Sequence, residues 1–196
     1  MKKFRPIIMV HLVLMVLLIL LSLISAVLIL TGTGIDMSSD AVKKSAYLYG
    51  AENILTAAAL VFGIIYLCKG YSKRAAGYYQ VFFLLAFAAW LFSFWLMIHT
   101  SSFLHYHLIA VSLTLSFIWA IAVFLLAVGL NLGKRKAWIL FIVLLASDCV
   151  MPFLFPEASY FPQVRVISCL GKLALDGTIG LAIRGKYADK DRRGTV

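Results

Sequence analysis

Apolar residues run along this chain in long blocks separated by short polar stretches. The blocks show neither the period of two of a half-buried strand nor the one-sided stripe of a soluble helix. Six stand out, at 7–31, 47–67, 75–98, 104–130, 137–155 and 161–183. Each exceeds about 17 residues, enough for a helix to cross about 30 Å of hydrocarbon. Open strands would leave backbone groups unpaired in lipid, so helices are expected. The predicted fold is all-α: a polytopic bundle of six transmembrane helices forming one integral membrane domain. The first block follows Met1-Lys2-Lys3-Phe4-Arg5-Pro6, a basic start that secretory signals share. Its apolar run is longer than the about 7–15 residues of a signal core, and Ile24-Ser25-Ala26 has no small residue at the −3 position, so it reads as an uncleaved helix.

The polar breaks set the expected orientation. Lys2, Lys3 and Arg5 precede the first span; Lys69, Lys73 and Arg74 follow the second; Lys134, Arg135 and Lys136 follow the fourth. Arg184, Lys186, Lys190, Arg192 and Arg193 follow the sixth, which puts 14 of the 18 basic residues on one side. The opposite loops hold Lys43 and Lys44 against Asp36 and Asp40, and then Glu157. The positive-inside rule then predicts both termini in the cytoplasm, in a cell inner membrane. Trp138 beside an inner loop and Trp95 near an outer end suit interfacial belts. The outer loop 32–46 is rich in Gly, Ser, Thr and Asp and is expected as a solvated linker or a lid. Prolines 152, 156 and 162 stiffen the last loop, and the tail 187–196 is charged and expected to be unordered.

Composition agrees with this and removes other classes. The chain has 196 residues, of which 63% are hydrophobic and 13% charged, and its mean hydropathy is +0.99. A soluble domain carries about 25% charged residues, so lipid is the expected partner of much of this surface. The net charge of +10 does not point to nucleic acid, because the basic residues sit at membrane edges rather than on one soluble face. Cys68, Cys149 and Cys169 are an odd number in or beside apolar segments, with no Cys-x-x-Cys, and read as small apolar fillers.

The three even-numbered spans end alike. Gly63 to Gly70, Gly129 to Gly133 and Gly180 to Gly185 each lead into a basic cluster, as a left-handed helix cap with cations at the helix C-terminus would. A triplicated helical hairpin, with units 1–74, 75–136 and 137–196, is one reading; convergence of helices arriving at the cytoplasm is the other.

Five ionisable residues fall inside the spans: Glu52, Asp148, Arg165, Lys172 and Asp176. A charge at the bilayer centre costs about 2.5–3.5 kcal/mol on insertion scales, so such groups face protein or water. Arg165, Ser168, Lys172 and Asp176 form one polar stripe on the sixth span, and Gly171 and Gly180 lie off it, where a neighbour can approach closely. Lys172 and Asp176 are four apart and can pair along the helix. Depth, at about 1.5 Å per residue, suggests Asp148–Lys172 and Glu52–Arg165 pairs. The five residues are the candidate solute-binding or intramembrane polar site, in which the cations hold a small polar or anionic solute or a carboxyl titrates with a coupled proton.

Other candidates are weaker. His99, His105 and His107 gather at the outer end of the third and fourth spans and are weak metal candidates, because H-x5-H-x-H is no established ligand spacing. His11 lies alone near the inner end of the first span, with no second histidine at its depth to make a haem pair. No cofactor is implied. The aromatics of the third span, among them Phe82, Phe83, Phe87 and Trp90, are spread around the helix as packing residues are. Gly-x-Ser-x-Gly, His-Glu-x-x-His, P-loop and Gly-x-Gly-x-x-Gly motifs are absent, and Asp148 has no second aspartate close in sequence.

In size, topology and basic charge the chain resembles the substrate-binding membrane subunits of energy-coupling-factor transporters. The likeness is architectural: that family's paired alanines in the first helix are not present, and Ser22 and Ala26 give only a small-xxx-small match. Two functions remain in view: a small transport or solute-binding membrane protein with its site on the sixth span, or an accessory subunit, working with other membrane subunits, whose buried charges are packing contacts.

Overall fold

A computed structural model of the chain describes residues 5–33, 37–69, 76–100, 118, 134–154 and 162–193. Among these residues the fold is all-helical, with no strand. Five helices are present: α1 (Arg5–Leu30), α2 (Asp40–Lys69), α3 (Ala76–Thr100), α4 (Lys134–Leu154) and α5 (Pro162–Arg193). The sixth span of the sequence is therefore α5, and the fourth, 104–130, lies outside the described residues except for Ile118. Among the described residues three helices are long and apolar enough to cross a membrane, at Pro6–Leu30, Val42–Lys69 and Val166–Lys186.

The helix ends depart from the expected spans where local chemistry favours continuation. α2 starts at Asp40, inside the expected 32–46 loop. Asp40 gives the first turn the negative charge that a helix N-terminus favours and lies 3.6 Å from Lys43 one turn on. α5 runs on to Arg193, so most of the tail expected to be unordered is helix. No proline or glycine interrupts 186–193, and its Ala, Lys and Arg are strong helix formers.

α1 ends on a left-handed glycine. Gly32 has φ +68°, Thr33 N–H donates to Leu28 C=O at 3.1 Å and Gly32 N–H to Ile29 C=O at 3.1 Å. This paired closure satisfies two carbonyls the helix leaves open. Toward the C-terminal ends of α2 and α5 glycine does something else. Gly185 lies within α5 rather than past its end. A Cβ at Gly63 would come within 2.9 Å of Met15, and one at Gly180 within 3.0 Å of Phe141, so these glycines let neighbouring helices close in.

α1 is apolar on every side, so hydrophobicity cannot say which side packs. Small and polar residues can: Met15, Leu18, Ser22, Ser25, Ala26 and Ile29 form its buried seam, at the three- and four-residue spacing of helix packing. Val10, Val13, Leu17, Leu20, Ile24 and Val27 stay exposed, as lipid-facing residues do.

α1 and α2 run antiparallel, with Leu30 against Gly50 and Met15 against Gly63. α2 and α3 form a second antiparallel pair, with Tyr66 and Tyr79 ring centroids 4.9 Å apart. α5 packs on α1, α2 and α4. Against α2 it runs parallel, Ser168 meeting Glu52 and Ala182 packing with Tyr66. Against α1 it runs antiparallel, His11 meeting Thr178. The central core joins Met15, Leu60, Phe82, Phe83, Leu144 and Ile179.

Candidate functional site

The stripe predicted on the sixth span is built as a ladder on α5. Ser168, Lys172 and Asp176 are successive fourth residues, so each stands one turn on and about 40° around from the last. Ser168 and Asp176 are buried, and the Lys172 side chain is 23% exposed. Facing groups come from two other helices: Glu52 of α2 at the rung nearer the start of α5, called outer here, and Asp148 of α4 at the rung nearer its end, called inner.

At the outer rung, Glu52 is 1% exposed. Its Oε1 accepts a hydrogen bond from the Ser168 hydroxyl and lies 3.5 Å from Lys172 Nζ. The lysine reaches a carboxylate one turn nearer the N-terminus of α5 because helical side chains lean that way. A buried ion pair is costly to desolvate, and removing either partner strands the other charge.

At the inner rung, the carboxyl groups of Asp148 and Asp176 lie within hydrogen-bonding reach of each other. Asp176 Oδ2 is buried and receives no hydrogen bond from a donor among the described residues. An ionised carboxylate only accepts, so a hydrogen bond between two carboxyls requires one of them to carry a proton. Lys172 lies close enough to both to act on them electrostatically. The three residues share the wall of a cavity of about 20 Å³ with Phe83, Trp90 and Ile179. A buried water needs about 10–15 Å³ measured in this way and two to four polar partners, so this space suits a water or a proton-sized event.

Four of the five expected residues are thus brought together: Lys172 lies within electrostatic reach of Asp148 as expected but pairs with Glu52 as well, and the expected Glu52–Arg165 pair lies outside the described residues. Glu52 meets Lys172 and Ser168, and Asp148 meets Asp176. Arg165 falls in α5, but its side chain lies outside the described residues, as do the side chain of His99 and the whole of His105 and His107. Among the described residues no group of three or more His, Cys, Asp or Glu side chains could hold a metal ion. Gly171 fulfils its expectation: a Cβ there would come within 2.8 Å of Thr56.

Two polar features escaped the sequence reading. His11 Nε2 lies 3.0 Å from Thr178 Oγ1, and Gly177 leaves room for its ring, a Cβ there reaching within 2.7 Å of Cε1. Thr178 also donates to Ala174 C=O at 2.9 Å, which leaves its oxygen to accept from the imidazole. Asn53 is wholly buried, and neither its amide nitrogen nor its oxygen has a partner among the described residues. Asn53 follows Glu52 directly and was overshadowed by it; an amide inside an apolar span was the available signal. No family model matches the chain, and no curated protein or solved structure matches it either.

Proposed function

We propose that the chain is a small transport-type membrane protein whose polar intramembrane site handles a proton. The site comprises Glu52, Asp148, Lys172 and Asp176, with Arg165 at its outer end. One observation carries the reading: the Asp148–Asp176 carboxyl contact, beside Lys172 and against a cavity of water size. Structural glue needs opposite charges, whereas two acids in contact hold a proton that can leave. Lys172 is engaged with Glu52, so the geometry favours a titrating carboxyl over an anionic solute held by the cations.

The frame for this is six spans with both termini cytoplasmic, in a cell inner membrane. The three apolar helices and the one-sided distribution of basic residues support it. The single domain and the hairpin units 1–74, 75–136 and 137–196 belong to the same proposal.

Proteoliposomes carrying an entrapped pH indicator test the function. Under an imposed pH gradient the wild type is expected to move protons faster than empty vesicles, and Asp176→Asn and Asp148→Asn to return the rate to that background. Equal rates in wild type and both variants would sink the reading. The second reading, an accessory subunit held together by its charges, draws on the buried Glu52–Lys172 pair. It expects those variants to lose folded protein or a stoichiometric partner, seen by native mass spectrometry, with no proton movement in the wild type.

A further inference from the structure

Six buried side-chain atoms have no hydrogen-bond partner among the described residues: Ser22 Oγ, Ser25 Oγ, Glu52 Oε2, Asn53 Nδ2 and Oδ1, and Asp176 Oδ2. All but the last lie on α1 and α2. Leaving one such group unpaired costs about 1–3 kcal/mol, and hydrocarbon offers no water to relieve it. Five such atoms on two packed helices call for an occupant.

Their common level follows from the helix register. Leu30 lies against Gly50 and Met15 against Gly63, while Ile29 packs with Tyr49. Between these fixed points Ser25 comes level with Asn53, and Ser22 level with Thr56 one turn on. Both serines lie on the buried seam of α1. Asn53 follows Tyr49 by one turn, on the face of α2 that meets α1. Glu52, about 100° around, faces α5, with Oε1 engaged by Ser168 and Lys172 and Oε2 unpartnered. The register therefore places these residues at neighbouring levels where α1, α2 and α5 pack together. Serine inside a helix usually bonds back to its own backbone; neither Ser22 nor Ser25 does so.

We propose that this junction is a binding site for a monovalent alkali cation, sodium above all, with Glu52 Oε2, Asn53 Oδ1, Ser22 Oγ and Ser25 Oγ as its protein ligands. Hard cations take oxygen ligands, and a single carboxylate among neutral oxygens suits one positive charge, whereas calcium-type sites gather several carboxylates. Local charge points the same way. Among the described side chains Glu52, Asp148 and Asp176 gather around one ammonium, Lys172, in surroundings richer in acidic than in basic groups. The Lys172 ammonium sits on Oε1, the other oxygen of the carboxylate. This site is separate from the acid pair and does not require the proton-handling role.

The test uses the full-length protein in detergent, with sodium chloride titrated against choline chloride at constant ionic strength. Sodium is expected to raise the melting temperature saturably, as a ligand of the folded state does. Asn53→Leu, and separately Ser22→Ala with Ser25→Ala, are expected to raise the half-saturating sodium concentration at least tenfold. Asp176→Asn is expected to keep the sodium response while losing proton movement, so the two proposals fail independently. Equilibrium binding of radioactive sodium to the wild type covers the case in which a variant does not fold. No sodium binding to the wild type, or sodium and choline melting curves that coincide, would overturn the site; so would an undiminished response in folded Asn53→Leu, which would mean that the junction holds water alone.

Discussion

Removing the Glu52 carboxylate leaves the Lys172 ammonium facing a cluster with its closest counter-ion gone. Breaking a buried pair from one side typically costs about 3–5 kcal/mol, whereas replacing both partners with apolar groups is often neutral or stabilising. Glu52→Ala is therefore expected to lower the melting temperature sharply, and Glu52→Leu with Lys172→Met to recover most of the loss. Thermal unfolding in detergent checks both; a double variant as unstable as the single would mean that the pair is not what holds α2 to α5. The five ionisable residues were legible in the sequence because charge inside an apolar span is conspicuous. Their partners were not. Residue counting gives depth but neither the direction a side chain leaves its helix nor its lean, and Lys172 reaches back a full turn to Glu52. Asp148 and Asp176 carry the same sign, and charge pairing alone would not place them together.

At the scale of the helix, glycine decides how closely α5 meets its neighbours. A Cβ at Gly171 would come within 2.8 Å of the Thr56 methyl, and one at Gly177 within 2.7 Å of the His11 ring. Overpacking of this kind costs about 1–3 kcal/mol. Gly171→Ala is expected to destabilise by that order and to disturb the Ser168–Glu52 contact one turn away. A melting temperature equal to that of wild type would show that α5 lies farther from α2 than the structure places it. The same reasoning explains what the sequence hid about the element ends. Glycine followed by basic residues looks like a cap, yet the described left-handed cap is Gly32, which Thr33 rather than a basic cluster follows. Gly63 and Gly180 occur in a similar pattern but are packing positions, a distinction that only neighbouring helices can make. The helical stretch beyond Tyr187 was missed because charge density was taken as a sign of disorder, although its residues are good helix formers.

At the scale of the molecule, α5 joins α4 to the α1–α2 pair among the described helices. It touches α1, α2 and α4, and it carries the rungs on which both acidic partners converge. Long apolar blocks made the all-helical membrane character plain from the sequence; the packing of α5 at the centre came from small residues rather than from hydrophobicity. The central proposal is that Asp148 and Asp176 share a proton inside this bundle. Infrared spectroscopy addresses it directly, because a protonated carboxyl shows a carbonyl stretch that carboxylates and amides lack. Wild-type protein is expected to show such a band, and Asp148→Asn and Asp176→Asn each to abolish or shift it while the backbone helix signal stays unchanged. A wild-type spectrum without the band, or one in which both variants leave it in place, would contradict the shared proton.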